Sequence, residues 1–113
     1  MRASDHLLMA EFMTLAEKWV EETKDIKNTE KYFDRNYAKI VEMGDRIIPI
    51  LLDEIVGELG MSKGEPSKWF WALKLITGDN PVPERFRNKP KKAASCWLHW
   101  GKTHGFETEF PED

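Results

Sequence analysis

Four of the five tryptophans fall in two short neighbouring segments, Trp69-Phe70-Trp71-Ala72-Leu73 and Trp97-Leu98-His99-Trp100-Gly101. Rings of this size demand packed neighbours, and each segment spaces its apolar residues three and four apart, the period of a helix and not of a strand. Trp69, Ala72, Leu73 and Ile76 form one such face, with Phe70 and Trp71 flanking it; Ala94, Trp97, Leu98 and Gly101 form the other, with Trp100 beside it. Between them Gly78 closes a helix, and Asn80-Pro81-Val82-Pro83 forces an extended path, because residues before proline avoid the helical region. The pair predicts a helical hairpin packed through indole rings.

The same period runs through the rest of the chain. Leu8, Phe12, Leu15 and Trp19 predict a helix from about Asp5 to Lys24, capped by Ser4 or Asp5. Glu21 and Glu22 in its last turn oppose the helix dipole, which predicts fraying near Thr23. Residues 25–28 read as a polar connection. Residues 29–43 fit either one helix or a short turn followed, after Asn36, by a helix from Tyr37 to Met43. Gly44 stops that segment and Asp45 caps the next, Arg46 to Leu59, whose Ile47, Ile48, Leu51, Leu52, Ile55, Val56 and Leu59 make a broad apolar arc. Pro49 sits in its first turn, where a missing amide hydrogen costs least. Gly57, Gly60 and Gly64 with Pro66 end it, and Ser67 caps a helix over Lys68–Thr77. A last helix spans Lys91–His104, with Gly105 as its terminal glycine. No alternating segment survives as a strand. The expected fold is all-α, a single domain over 1–113 with five or six helices: an N-terminal capping helix within 1–28, two antiparallel helical hairpins within 29–106, and an acidic tail over 107–113.

The motifs Tyr37-x-x-Ile40-x-x-Met43-Gly44, Ile48-Pro49-x-Leu51-Leu52, Trp69-Phe70-Trp71-Ala72-Leu73-x-x-Ile76-Thr77-Gly78-x-x-Pro81-Val82-Pro83 and Trp97-Leu98-x-Trp100-Gly101 resemble a family of small uncharacterised bacterial and phage-type helical proteins. The stretch Met43-Gly44-Asp45 through Leu52 also looks like the second helix of a HEAT repeat. The resemblance covers about 70 residues (Asn36–Phe106) and implies a compact, HEAT-like helical fold; it carries over no assigned activity. The chain departs from that pattern between Arg87 and Lys92. Asn88-Lys89-Pro90-Lys91-Lys92 stands where an Arg-Gly turn and an acidic or neutral helix start are the family's form.

Charge singles out the same stretch. The chain is net −3, yet residues 85–104 carry Arg85, Arg87, Lys89, Lys91, Lys92 and Lys102 with no acid, so the remainder is net −9. Cations at the start of the last helix oppose its dipole, so they do not serve helix stability. Three readings stand: a solvated loop, a surface for an acidic protein, or a phosphate contact for nucleic acid. The acidic remainder argues against the last. A hot-spot anchor is sought among the tryptophans. Trp69, Trp97 and Trp100 lie on or beside core faces. Trp71 points about 200° away from Trp69, and Trp19 sits in the fraying end of its helix. The candidate partner-binding residues are therefore Trp19, Trp71, Arg85, Arg87, Lys89, Lys91 and Lys92.

Catalytic constellations are sparse. No Gly-x-Ser-x-Gly, phosphate-cradling glycine loop or His-Glu-x-x-His occurs. Cys96-x-x-His99 with His104 and His6 matches no zinc-finger spacing, and Cys96 is the single cysteine. Asp53-Glu54 and Glu21-Glu22 are adjacent in sequence, so their side chains diverge and read as surface charge. No apolar run approaches the ~20 residues of a membrane span. The expectation is a non-catalytic protein-binding module (adaptor, inhibitor or regulator) of the cytoplasm. It would hold no cofactor or metal, self-association through an uncovered helical face is open, and nucleic-acid binding through 85–92 is the alternative.

Overall fold

The computed structural model describes residues 3–26, 29–62 and 64–106; the expected acidic tail over 107–113 lies outside them. The described residues form five α-helices and no strand: α1 (Ala3–Thr23), α2 (Arg35–Glu42), α3 (Ile48–Leu59), α4 (Phe70–Thr77) and α5 (Pro90–Thr103). Short 3-10 turns at Thr29–Phe33, Gly44–Ile47, Pro66–Trp69 and Glu84–Phe86 precede α2, α3, α4 and α5. The chain divides into two compact units, Met1–Ile47 and Ile48–Asp113. The stretch 29–106, expected to hold both helical pairs, thus contributes to each.

In the first unit α2 packs on α1. Phe12, Leu15 and Trp19 are buried, as their spacing predicts, together with Tyr37 and Ile40 of α2. The Trp19 ring lies 4.9 Å from Tyr37 and 6.1 Å from Tyr32, and the two tyrosines meet edge to face at 5.3 Å. The C-terminal end of α1 does not stand open. Glu22 accepts from Asn36 Nδ2 at 2.7 Å and from Arg35 Nη2 at 3.3 Å, and Thr23 is buried with its hydroxyl donating to Trp19 O. The acidic end that sequence marks for fraying is instead tied to the start of α2. That start is set by Asp34, whose Oδ1 accepts from Asn36 N at 2.8 Å. Residues 29–43 are therefore a turn followed by a helix, broken at Asp34 and not at Asn36, which is buried inside α2.

In the second unit α5 lies against α3 and against the Pro66–Trp69 turn, while α4 joins this layer mainly through the same turn. Its core comes from Ile48, Leu51, Leu52 and Ile55 of α3, Trp69, Ala72 and Leu73 around α4, and Ala94, Trp97 and Leu98 of α5. The crossing of α3 and α5 is close at Gly101. A Cβ on buried Gly101 would come within 2.5 Å of Leu52 Cδ1. Four sequence expectations on helix ends shift; Asp45, expected to cap a helix from Arg46, lies with Arg46 in the 3-10 turn ahead of α3. Ser4 and Asp5 lie inside α1, Gly57 lies inside α3, and Ser67 belongs to the 3-10 turn, so α4 begins at Phe70 without a side-chain cap. The helix-stopping glycines hold: Gly44, Gly78 and Gly105 all take positive φ, and Gly78 N donates to Lys74 O.

Asp53-Glu54, expected as plain surface charge, is half-buried. Burial raises the Glu54 carboxyl above its usual range, Lys68 opposes the rise, and Glu58 and Asp53 add to it. Glu58 itself pairs with Lys68. A carboxyl whose folded pKa lies above its unfolded value binds protons more tightly when folded, so its charged form costs stability as pH rises through that value. Glu54→Gln is therefore expected to melt above wild type at pH 7. The gap should close as pH falls through the raised Glu54 pKa, where wild type becomes neutral too. Paired thermal melts from pH 4 to 8 check this, and a gap that is constant with pH contradicts it.

Candidate functional site

The basic stretch is built from an enforced bend. Gly78 ends α4 in the left-handed conformation, and the prolines at 81 and 83 hold the following residues extended, with Pro83 at φ −68° and ψ 155°. Extended backbone sends alternate side chains to opposite sides. Pro81 thus joins one concavity, while Asn80 and Val82 join another. The Glu84–Phe86 turn then leads into α5, where Pro90 occupies the first turn and Lys89 stands at the N-cap with no side-chain hydrogen bond to the helix. No acid occupies the first turn of α5. Its unsatisfied N–H groups and positive dipole end coincide with Lys89, Lys91 and Lys92.

Arg85, Arg87, Lys89, Lys91 and Lys92 are all exposed. Among the described residues none of the five forms an ion pair. Two of them gather on one ring: Arg85 Cζ lies 4.9 Å and Lys92 Nζ 5.4 Å from the centroid of Phe86. The five candidates thus fall on one continuous stretch, the turn that holds Phe86 and the first turn of α5, with Arg85 and Lys92 meeting on the Phe86 ring.

The two tryptophan candidates are not part of it. Trp19 is 3% exposed and donates from Nε1 to Lys31 O at 2.6 Å. It is a core residue of the first unit and offers no surface anchor, because the tie between α1 and α2 closes over the helix end expected to open. Trp71 is half-buried, with Lys74 Nζ 5.8 Å from its ring. Trp100, expected with the core, is instead half-exposed. Its Nε1 donates to Asp79 Oδ2 at 3.0 Å, and its rings stack on His104 at 4.2 Å and Phe106 at 5.7 Å.

Beside the basic stretch lie two concavities that share the 80–83 segment as a wall. One, about 430 Å³, is floored by Trp97, Phe70 and Ala93 and rimmed by Lys74, Arg87 and Glu84. The other, about 450 Å³, runs along the outer face of α5, where Lys92, Ser95, Cys96, His99, Trp100 and Thr103 follow one another at helical spacing; Pro81 and Phe86 supply the facing wall. This second face of α5 was missed in the sequence. Four of its six helix positions are polar or charged, and its apolar wall comes from a separate segment. Cys96 and His99 both line it, and among the described residues no group of three or more histidine, cysteine or carboxylate side chains is placed to hold a metal ion. No described helix is long and apolar enough to cross a membrane. Comparison with protein-family models, curated proteins and solved structures finds no match, so the likeness to a HEAT-like family rests on the sequence motifs alone.

Proposed function

We propose that this chain is a non-catalytic binding module and that its working surface is the cationic start of α5, Arg85 to Lys92, which takes an acidic segment of a partner protein. The observation that carries this reading is the set of five exposed cations without ion pairs, three of which, Lys89, Lys91 and Lys92, stand at a helix N-terminus that they destabilise. A surface that costs the fold stability is retained for contact. Complementary charge steers the encounter and fixes orientation, while Phe86 between Arg85 and Lys92 supplies an apolar contact at the centre. Both an acidic segment and nucleic acid meet repulsion from the remaining residues at net −9, and a duplex, with a charge every ~1.7 Å of its axis, meets more of it.

Poly-L-glutamate serves as the acidic probe and a DNA duplex as its competitor, each titrated at low and physiological salt. The expected result is salt-sensitive binding of poly-L-glutamate and no retardation of DNA in a gel shift. The double variant Lys89→Asp, Lys91→Glu should weaken poly-L-glutamate binding by about tenfold or more, the loss of roughly 1.4 kcal/mol. Retardation of DNA at physiological salt would transfer the surface to nucleic acid. Poly-L-glutamate binding that ignores the double variant would remove these residues from the contact.

A further inference from the structure

We propose that the 450 Å³ concavity on the outer face of α5 is a binding site for a small aromatic carboxylate, adjoining the partner surface and sharing Phe86 and Lys92 with it. Its size lies within the range of small-molecule sites, which are mostly apolar with a few placed polar groups. The walls are flat: the Pro81 ring, the Phe86 ring and the Trp100 indole. Trp100 is held in place on three sides, by Asp79 on its Nε1 and by the stacked rings of His104 and Phe106, so the wall is formed before a ligand arrives. The hydroxyls of Ser95 and Thr103 donate back to Lys91 O and Trp100 O, which leaves the helix side of the site less polar than its composition suggests.

The charge of the lining decides the rest. Lys92 lines the site, Arg85 shares its Phe86 wall, and His99 lies along the helix; no carboxylate lines it. Asp79 is engaged with the Trp100 indole, and Glu84 lies on the rim of the other concavity. A cationic ligand finds no counter-charge here, and a neutral one leaves Lys92 unused. A planar aromatic body against Phe86 and Trp100, with its carboxylate turned to Lys92, satisfies both the walls and the charge. Cys96 supplies a thiol in the same lining and reports on occupancy.

The test uses the intact protein and three probes of one shape: 2-naphthoate, the neutral 2-naphthamide and the cationic 2-naphthylmethylammonium. Binding is read from the NMR shift of the Trp100 indole N–H and from the rate at which neutral iodoacetamide alkylates Cys96. The expected result is that 2-naphthoate moves the Trp100 resonance and slows alkylation. The amide should bind about tenfold more weakly and the ammonium not at all. Lys92→Met should bring 2-naphthoate down to the level of the amide, and Phe86→Ala should weaken both. Three results would overturn the proposal: no response of Trp100 or Cys96 to millimolar 2-naphthoate, equal binding of the three probes, or an unchanged affinity in Lys92→Met. The probe series is read on the wild-type protein, so it stands whether or not a variant folds. Lys89→Asp, Lys91→Glu leaves every lining residue in place, so loss of the partner surface and loss of this site are separately visible.

Discussion

Replacing Trp19 by alanine is expected to cost about 3–5 kcal/mol, the range for deleting a fully packed large aromatic. Three contributions are lost together. The ring leaves a cavity between α1 and α2, the aromatic cluster with Tyr32 and Tyr37 is broken, and the Lys31 carbonyl loses its donor. Domains of this size hold only about 5–15 kcal/mol in total, so the variant should lie near or beyond the edge of folding. Trp19→Phe keeps a ring but forfeits the hydrogen bond, and should lose less. Denaturant midpoints measured by circular dichroism decide the matter. An unchanged midpoint would restore Trp19 to the surface role that its position near a helix end suggests.

Gly101→Leu is the second large effect, at about 3 kcal/mol, the upper end of ordinary overpacking costs. The loss arises in the other unit and by the opposite mechanism, excess volume in place of a cavity. The first atom added at this position already overlaps Leu52, and every further atom would enter the α3–α5 crossing. Leu52 is fully buried, so its side-chain end can yield to a single added carbon and not to a whole isobutyl group. Gly101→Ala should be milder, because it demands only a rotamer shift of one flexible side chain and gains helix propensity over glycine. Pairing either substitution with Leu52→Ala should recover part of the loss, since the two sites share one volume. Simple addition of the two penalties would show that the helices do not meet there.

These cases mark what can be read from the sequence. Helical class and the buried faces were legible because they follow from one local rule, the three-and-four spacing of Phe12, Leu15 and Trp19 or of Trp97, Leu98 and Gly101. Gly44, Gly78 and Gly105 were legible for an equally local reason, the left-handed backbone that closes a helix. Helix starts were less so. Ser4, Asp5 and Ser67 are good cap types, yet each lies inside a helical stretch. The one side-chain cap described, Asp34, was hidden in a polar run that offered several equivalents. Tertiary ties decided the rest: Asn36 is drawn under Glu22, 14 residues away in sequence, and no local pattern announces that bond.

The candidate site divides along the same line. The cations from Arg85 to Lys92 are adjacent in sequence, so their meeting required no knowledge of the fold. The concavity beside them joins Pro81 and Phe86 to positions 92–103, and only the bend imposed by Gly78 and the two prolines brings those segments together. Tryptophan favours interfaces, which singles out Trp19 and Trp71 in the sequence as anchors. Burial removes Trp19 from that set, while Phe86 and Trp100 stand where the cations are.

If the cationic start of α5 serves contact at the expense of stability, thermal denaturation of Lys89→Asp, Lys91→Glu reveals it. Aspartate supplies the missing cap, worth about 1 kcal/mol, and glutamate in the first turn reverses an unfavourable dipole interaction of about 0.3–1 kcal/mol. The expected variant melts several degrees above wild type and loses its hold on poly-L-glutamate. A lower melting temperature would contradict it, because the lysines would then be structural.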